Sequence, residues 1–316
     1  MTDYQAAQQE LQTLRDFLRW ITSRFYEAGL FYGHGNEDAF NEASQLILST
    51  LKLPVETLPD IFLDARLSSA EKIQLLSLTE KRIEQHIPLP YLTHEAWFAG
   101  LPFYVDERVL IPRSPFAELI ESQFQPWLID PDDVSQILDL CTGSGCIAIA
   151  CAMAFENARV DAVDISAEAL AVAEININKH AMPAQVTAIE SDLWLALKAE
   201  KQYELIVSNP PYVGADEMTS LPDEYRHEPE TALEAADNGL AIVEQILLNA
   251  ADYLTETGLL FVEVGNSDIA VQERWPETPF LWLDFEQGGH GIFMLTQAQC
   301  TEFAGRYRSN AAVQRT

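Results

Sequence analysis

Basic residues are scarce in this sequence: 19 lysines and arginines stand against 49 aspartates and glutamates, a formal net charge of −30 over 316 residues. A surface of that sign repels phosphate backbones and has few cations to displace condensed counterions, which argues against free nucleic acid as a partner and for a basic protein. Acidity also serves solubility alone, and both readings stand at this point. Cysteine and histidine are sparse as well. Cys141, Cys146, Cys151 and Cys300 form no CxxC pair, and the histidines at 34, 86, 94, 180, 227 and 290 form no HxxxH pair, so the pattern offers no metal site and four reduced core thiols. No apolar run approaches the roughly 20 residues of a membrane span. The opening Met1-Thr2-Asp3-Tyr4-Gln5 has neither the basic start nor the apolar core of a signal peptide, and the expectation is a cytoplasmic protein without a membrane partner.

What is present is ordinary globular composition, 48% hydrophobic and 22% charged, in a chain long enough for two domains or for one with a substantial appendage. The first 86 residues read as helices. Leu11, Leu14, Phe17, Leu18, Ile21, Phe25 and Ala28 recur at helical spacing and predict one helix over 8–32, ended by Gly33 and Gly35. A second runs from about Glu37 and buries Phe40, Ala43, Ile47 and Leu51. A third is announced by the capping box Ser68-Ser69-Ala70-Glu71 and reaches Gln85. Residues 87–110 read as a linker and a hairpin, with strands at Ala96-Trp97-Phe98 and Phe103-Tyr104-Val105 across Gly100-Leu101-Pro102. Ser114 and Pro115 then cap and open a helix carrying Phe116, Leu119, Ile120 and Phe124.

From Val134 the pattern alternates. Strands are predicted at Ile137–Leu140, Arg159–Val163, Gln185–Ile189, up to Val207 and at Gly258–Val264. Helices are predicted at Gly145–Phe155, Ala167–His180, Leu193–Ala199 and Leu240–Tyr253. Strands of nearly continuous apolar character alternating with helices mean a parallel sheet covered on both faces. Phe280–Phe285 and Gly291–Leu295, joined by Gln287-Gly288-Gly289-His290, close it with an antiparallel pair. The expected divisions are a helical domain over 1–86, the linker and hairpin over 87–110, an α/β domain over 111–308 and a tail over 309–316.

The chemistry gathers at the carboxyl ends of these strands, where open α/β sheets bind ligands. After the first strand, Asp139-Leu140-Cys141-Thr142-Gly143-Ser144-Gly145 lets the backbone pass close to a ligand at the start of a helix. The spacing is not GxGxxG, since the residue three after Gly143 is Cys146. The second strand ends in Asp164, a carboxylate suited to accept from two ribose hydroxyls, and the third in Ser191-Asp192-Leu193, at the height of an adenine. The fourth ends in Ser208-Asn209-Pro210-Pro211-Tyr212. Two prolines forbid both ladder pairing and helix, so the chain leaves the sheet stiffly. The Asn209 carboxamide, the unhindered carbonyls around Pro210 and the flat face of Tyr212 make a clamp for a planar NH2 group, or else an ordinary turn.

Glycine turn, Asp164, Asp192 and Asn-Pro-Pro-Tyr together resemble the class I S-adenosylmethionine-dependent methyltransferases, with Cys141 standing where their first glycine is usual. Asn-Pro-Pro-Tyr is similar to the subset that methylates amino groups of adenine, of guanine or of protein glutamine. Leu110-Ile111-Pro112-Arg113, Glu228-Pro229 and Asp237-Asn238-Gly239-Leu240 extend the likeness to the HemK-type protein-(glutamine) methyltransferases over nearly the whole chain. His94-Glu95-Ala96-Trp97-Phe98, Arg113-Ser114-Pro115 and Tyr225-Arg226-His227-Glu228-Pro229 look most like the PrmB branch, which modifies the third protein of the large ribosomal subunit. The release-factor branch usually carries Pro-Arg-Pro and an acidic-Thr-Glu run instead.

The resemblance implies a Rossmann-like α/β fold, a seven-stranded and mostly parallel sheet with its last strand antiparallel, preceded by a helical substrate-recognition domain. It implies S-adenosylmethionine as cofactor, S-adenosylhomocysteine as product and a basic ribosomal protein as partner. Cofactor contacts fall on Asp139, Cys141, Thr142, Gly143, Ser144, Gly145, Asp164, Asp192, Leu193 and Asn209. Substrate contacts fall on Arg113, Asn209, Pro210, Pro211 and Tyr212. Asn209 Oδ1 and the Pro210 carbonyl take the two amide hydrogens of a glutamine while Tyr212 packs on the amide plane, so Asn209, Pro210 and Tyr212 are the catalytic set. Glu224, Glu228 and Asp237 read as solvated or capping acids, and Glu263 as either that or functional. The competing readings are a release-factor methyltransferase, a nucleic-acid amino methyltransferase, which the charge disfavours, and a cofactor-binding scaffold on the ribosome without catalysis.

Overall fold

The computed structural model describes residues 3–54, 58–237, 239–286 and 288–314. Asn238 and Gln287, in two of the segments named above, and the end of the expected tail lie outside them. The chain forms two compact units, one of Met1–Ala96, Val105–Glu107 and Pro222–His227, the other of Trp97–Tyr104, Arg108–Leu221 and Glu228–Thr316.

The first unit carries α1 (Asp3–Glu10), α2 (Leu14–Ala28), α3 (Ala39–Leu51), α4 (Ser69–Gln85) and α5 (Leu89–Thr93). The helix expected over 8–32 is two. Thr13 breaks it by accepting the Asp16 N–H (3.2 Å) while the Asp16 carboxylate takes the Thr13 N–H (2.9 Å), a capping box written with aspartate. Gly29, at φ +63°, ends α2 before Gly33 is reached. Asp38 caps α3 by accepting from Phe40 and Asn41, and Phe40, expected in the core, is 51% exposed. Ser68 and Glu71 form the expected box at the start of α4. Phe17, Ile21, Phe25, Ala43, Leu46 and Leu75 make the core. Beside it Arg82, 1% exposed, donates to Glu42 Oε1 (2.6 Å), to Glu224 Oε1 (3.0 Å) and to the Phe31 carbonyl (2.8 Å).

A hairpin of β1 (Ala96–Phe98) and β2 (Leu101–Phe103) leads into the second unit. Its second strand falls two residues earlier than expected. Ala99 and Gly100, at φ +47° and +71°, form the turn alone, and positive φ at both positions is what a tight two-residue hairpin loop needs. The α/β layers follow as α6 (Phe116–Glu121), β3 (Gln136–Leu140), α7 (Cys146–Ala154), β4 (Arg159–Asp164), α8 (Ala167–Lys179), β5 (Val186–Glu190), β6 (Tyr203–Ser208), α9 (Ala215–Met218), α10 (Glu230–Leu233), α11 (Ala241–Tyr253), β7 (Leu254–Glu263), α12 (Asp268–Arg274), β8 (Leu281–Trp282), β9 (Ile292–Thr296) and α13 (Gln297–Gln314). The seven sheet strands lie in the order β5-β4-β3-β6-β7-β9-β8, parallel except where β9 meets β7 and β8.

Strand alternation sorts the core into two. Ile137, Leu205, Val207 and Phe261 point to one face under α6 and α7, and Leu138, Leu140, Ile206, Leu260 and Val262 to the other, where α11 and α13 pack. Chain order reverses across the sheet on either side of β3, which opens a crevice at its carboxyl end. One expectation fails here. Leu193–Ala199 forms turns rather than a helix, its backbone held by an Ala196 N–H to Ser191 Oγ bond (2.9 Å). Residues 309–314 are helical, within α13. The four cysteines are free thiols. Among the described residues no cluster of His, Cys, Asp and Glu could hold a metal, and no helix is long and apolar enough to cross a membrane.

Candidate active site

The crevice is a cavity of about 530 Å³ in the second unit. One wall is the loop between β3 and α7, where Cys141 and Gly143 take φ of +62° and +54°. Cys141 thus adopts a left-handed backbone at the position a glycine would fill most cheaply, a strain of roughly 1–2 kcal/mol. The loop is pinned from below. Asp139 is fully buried, and its Oδ2 accepts from the Thr142 hydroxyl (2.6 Å) and the Ala148 N–H (3.1 Å). Burial lifts its carboxyl to about 7, against the pull of those two donors. Asp139 therefore braces the turn from beneath and lies off the cavity wall. Gly145 is also off the wall, because a Cβ there would stand 3.2 Å from Ala173 Cβ and separate α7 from α8.

The opposite rim comes from the ends of β4 and β5. Asp164 lines the cavity and accepts from Gly143 N–H and Ser166 N–H, each at 2.9 Å, which ties the loop to the second strand. Desolvation raises its pKa, opposed by the Ser166, Gly143 and Ile165 amides. These amides occupy part of the acceptor capacity of the carboxylate, which has roughly four lone-pair sites, and the rest is left for a ligand. Beside it Ile165 is 66% exposed, and Asp192 and Leu193 complete this rim.

At the end of β6, Ser208 donates to the Leu140 carbonyl (2.8 Å), fixing the exit of the Asn-Pro-Pro-Tyr segment beside β3. Asn209 and Pro211 line the cavity, Pro210 is buried behind them and Tyr212 is half-buried, off the wall. Tyr212 is held at several points. Its carbonyl accepts from Ser267 Oγ (3.0 Å) and lies so near Gly239 that a Cβ there would be 2.0 Å away. Its ring packs on Gly265, where a Cβ would be 2.6 Å from Cε2. Its hydroxyl donates to Glu263 Oε1 (3.3 Å).

Two acids, Glu228 read as solvated or capping and Glu263 left open between that and a functional role, prove to be buried parts of this unit's site. Arg113 lines the cavity, but its guanidinium is engaged in a bidentate pair with Glu228 (2.6 and 2.7 Å), whose buried carboxylate also takes the Ile111 N–H (3.0 Å). Glu228 so fastens the Leu110–Arg113 strap to the Pro229–Ala232 wall. Glu263 is buried at the end of β7. In the first unit Glu224 is likewise buried, against Arg82, whereas Asp237 is exposed. In the sequence Glu263 shows only as an acid within the apolar run Gly258–Val264.

A family model described as a methyltransferase small domain matches residues 126–226, from the approach to β3 through the Asn-Pro-Pro-Tyr segment. Over 298 residues, 94% of each chain, this sequence is 46% identical to the ribosomal protein uL3 glutamine methyltransferase of Francisella tularensis subsp. tularensis strain SCHU S4. Over 296 residues, 94% of this chain and 97% of the other, it is 48% identical to the protein of that name from Neisseria meningitidis serogroup B strain MC58. The chain belongs to the uL3 glutamine methyltransferase family. A solved methyltransferase structure from Pyrococcus furiosus aligns with TM-score 0.44 and 18% identity, over 73% of this chain and 99% of that one.

The methyl donor of a uL3 glutamine methyltransferase is S-adenosylmethionine, and the residues present fit it. A Cβ on Gly143 would meet nothing within 4 Å, so the loop presents open backbone to the cavity. Asp164 keeps acceptor capacity for ribose hydroxyls, and Ile165 and Leu193 offer apolar faces for a purine. Cys141, Thr142, Ser144 and Asp192 also stand on the wall.

Proposed function

We propose that this protein transfers a methyl group to the side-chain amide nitrogen of a glutamine in ribosomal protein uL3. The observation that carries the reading is kinship with the named relatives over 94% of the chain, helical unit included. S-adenosylmethionine supplies an electrophilic sulfonium methyl. As the methyl–sulfur bond breaks and leaves S-adenosylhomocysteine, the amide nitrogen would form the new carbon–nitrogen bond and shed one hydrogen as a proton to water. That nitrogen is a poor nucleophile because its lone pair is shared with the carbonyl, so positioning must supply much of the acceleration, and well-oriented encounters contribute roughly 7–11 kcal/mol. Asn209 Oδ1 and the Pro210 carbonyl accept the two amide hydrogens, and Tyr212 lies along the amide plane. Asn209 suits this, since its carboxamide takes none of the hydrogen bonds found among the described residues.

Arg113, held by Glu228, sets the strap over the substrate amide, and the helical unit recognises the rest of uL3. The substrate surface is basic, in keeping with the net charge of −30, and free nucleic acid is not a partner. Incubation with methyl-labelled S-adenosylmethionine and purified uL3 tests the reading, and the label should appear on a glutamine. Label in RNA, or in no product, would overturn it. Asn209→Ala should lower turnover by roughly 10²–10³, the usual loss for one preorganised polar group, a larger loss than any in calorimetric cofactor affinity. Wild-type turnover in that variant would reduce the Asn-Pro-Pro-Tyr segment to a turn.

A further inference from the structure

Glu263 is the buried acid that the methyl-transfer scheme leaves unused. The register of β6 and β7 pairs Ser208 with Val262, so Glu263 stands level with the point where the chain turns out into Asn209. Its two carboxylate oxygens serve two segments of the site. Oε1 accepts from the Tyr212 hydroxyl (3.3 Å), and Oε2 accepts from Ser114 Oγ, the residue following Arg113. Ser114 Oγ itself accepts from the Phe116 N–H (3.1 Å), which leaves its proton for Glu263. An ionised carboxylate, acceptor-only, suits two hydroxyl donors at once, and a neutral amide in its place must offer an NH2 to one of them. Desolvation pushes the Glu263 pKa up to about 7, with Ser114, Tyr212 and Arg113 opposing it. An apolar side chain would close the strand at lower cost, so an acid here is unfavourable to the fold unless it is used.

We propose that Glu263 is a positioning residue for methyl transfer, holding the Tyr212 hydroxyl and the Arg113–Ser114 strap in one frame so that the tyrosine ring presents a fixed face to the substrate amide. This rests on the assignment of Tyr212 to that amide. Gly265 gives the ring its seat on one edge, and Glu263 fixes how far the hydroxyl end tilts.

The test is a double-variant cycle on the full chain with S-adenosylmethionine and uL3. Glu263→Gln and Tyr212→Phe should each lower turnover about tenfold, as expected for loss of one hydrogen bond to a charged group. KM for uL3 and calorimetric affinity for S-adenosylmethionine should stay within about twofold of wild type. Since both act through one contact, the double variant should be no slower than the slower single one. Wild-type turnover in Glu263→Gln, or losses that multiply in the double variant, would overturn the proposal. So would weakened cofactor binding in step with turnover, the mark of a general structural role. If Glu263→Gln does not fold, Tyr212→Phe alone decides, because it deletes only the hydroxyl, and wild-type turnover there ends the proposal. Tyr212→Ala separates the two layers. A slow Tyr212→Ala beside a fast Glu263→Gln removes only Glu263, whereas a fast Tyr212→Ala removes the amide face itself.

Discussion

Acids differ at the scale of single residues in a way that composition conceals. Asp139, Glu228 and Glu263 are buried while Asp237 is exposed, a difference that the net charge does not show. Sequence position told that Asp164 follows the second strand, because strand ends can be counted. It could not tell that Asp139 braces the loop from beneath, because its partners, Thr142 and Ala148, are fixed by how α7 folds back. That brace has a pH signature. The folded-state pKa of Asp139 is raised from 3.8 to about 7, so its neutral form is favoured on folding. Its contribution is fully present below about pH 4 and is lost as the pH rises through about 7. At full extent this is on the order of 4 kcal/mol. Asp139→Asn cannot ionise, and it trades the unpaired buried Oδ1 for an equally unpaired amide at a cost independent of pH. Urea unfolding of the cofactor-free protein from pH 5 to 8 should therefore show the stability of the variant rising relative to wild type up to about pH 7 and level beyond it. Parallel profiles would mean that Asp139 is charged in the fold across this whole range.

Elements were legible where their periodicity was long and their ends chemically marked. Five of the sheet strands and α4, α7, α8 and α11 fall within a few residues of expectation, because apolar strands and capping residues leave local traces. The helices α12 and α13 were not expected. The sequence of α13 is mostly polar, with Gly305 inside it, and among the described residues Cys300, Phe303 and a few neighbours meet the core, so tertiary packing rather than pattern decides it. The excursion of Pro222–His227 into the helical unit was equally invisible, since it depends on Glu224 meeting Arg82 from 142 residues away. That contact holds α3, α4 and the excursion together. Arg82→Met strands Glu42 and Glu224 without their counter-charge and should destabilise the full chain by about 3–5 kcal/mol in urea unfolding followed by circular dichroism. Adding Glu42→Gln neutralises one stranded carboxylate and should recover part of the loss. A cost below about 1 kcal/mol for Arg82→Met would place the cluster in solvent.

For the whole molecule the excess of acid is sharper than the count suggests. Arg15, Arg24, Arg82, Arg113, Lys201, Arg226, Arg274, Arg306 and Arg308 each sit against a carboxylate of the chain itself, so a large share of the 19 cations is already engaged. The remaining field is negative and acts over the screening length, about 8 Å at physiological salt and about 30 Å at 0.01 M. A basic substrate approaching such a surface is steered, and steering affects encounter far more than the step that follows. The chemistry proposed at Asn209, Pro210 and Tyr212 uses neutral acceptors and a ring, which salt does not screen. The association rate of uL3 with the enzyme, measured by stopped flow, should fall steeply between 0.01 and 0.3 M salt. The single-turnover rate of pre-bound substrate should change by less than about twofold over the same range. An association rate independent of salt would assign the net charge of −30 to solubility alone. A single-turnover rate that fell in parallel would place a screened charge inside the reacting geometry, contrary to the clamp of neutral groups.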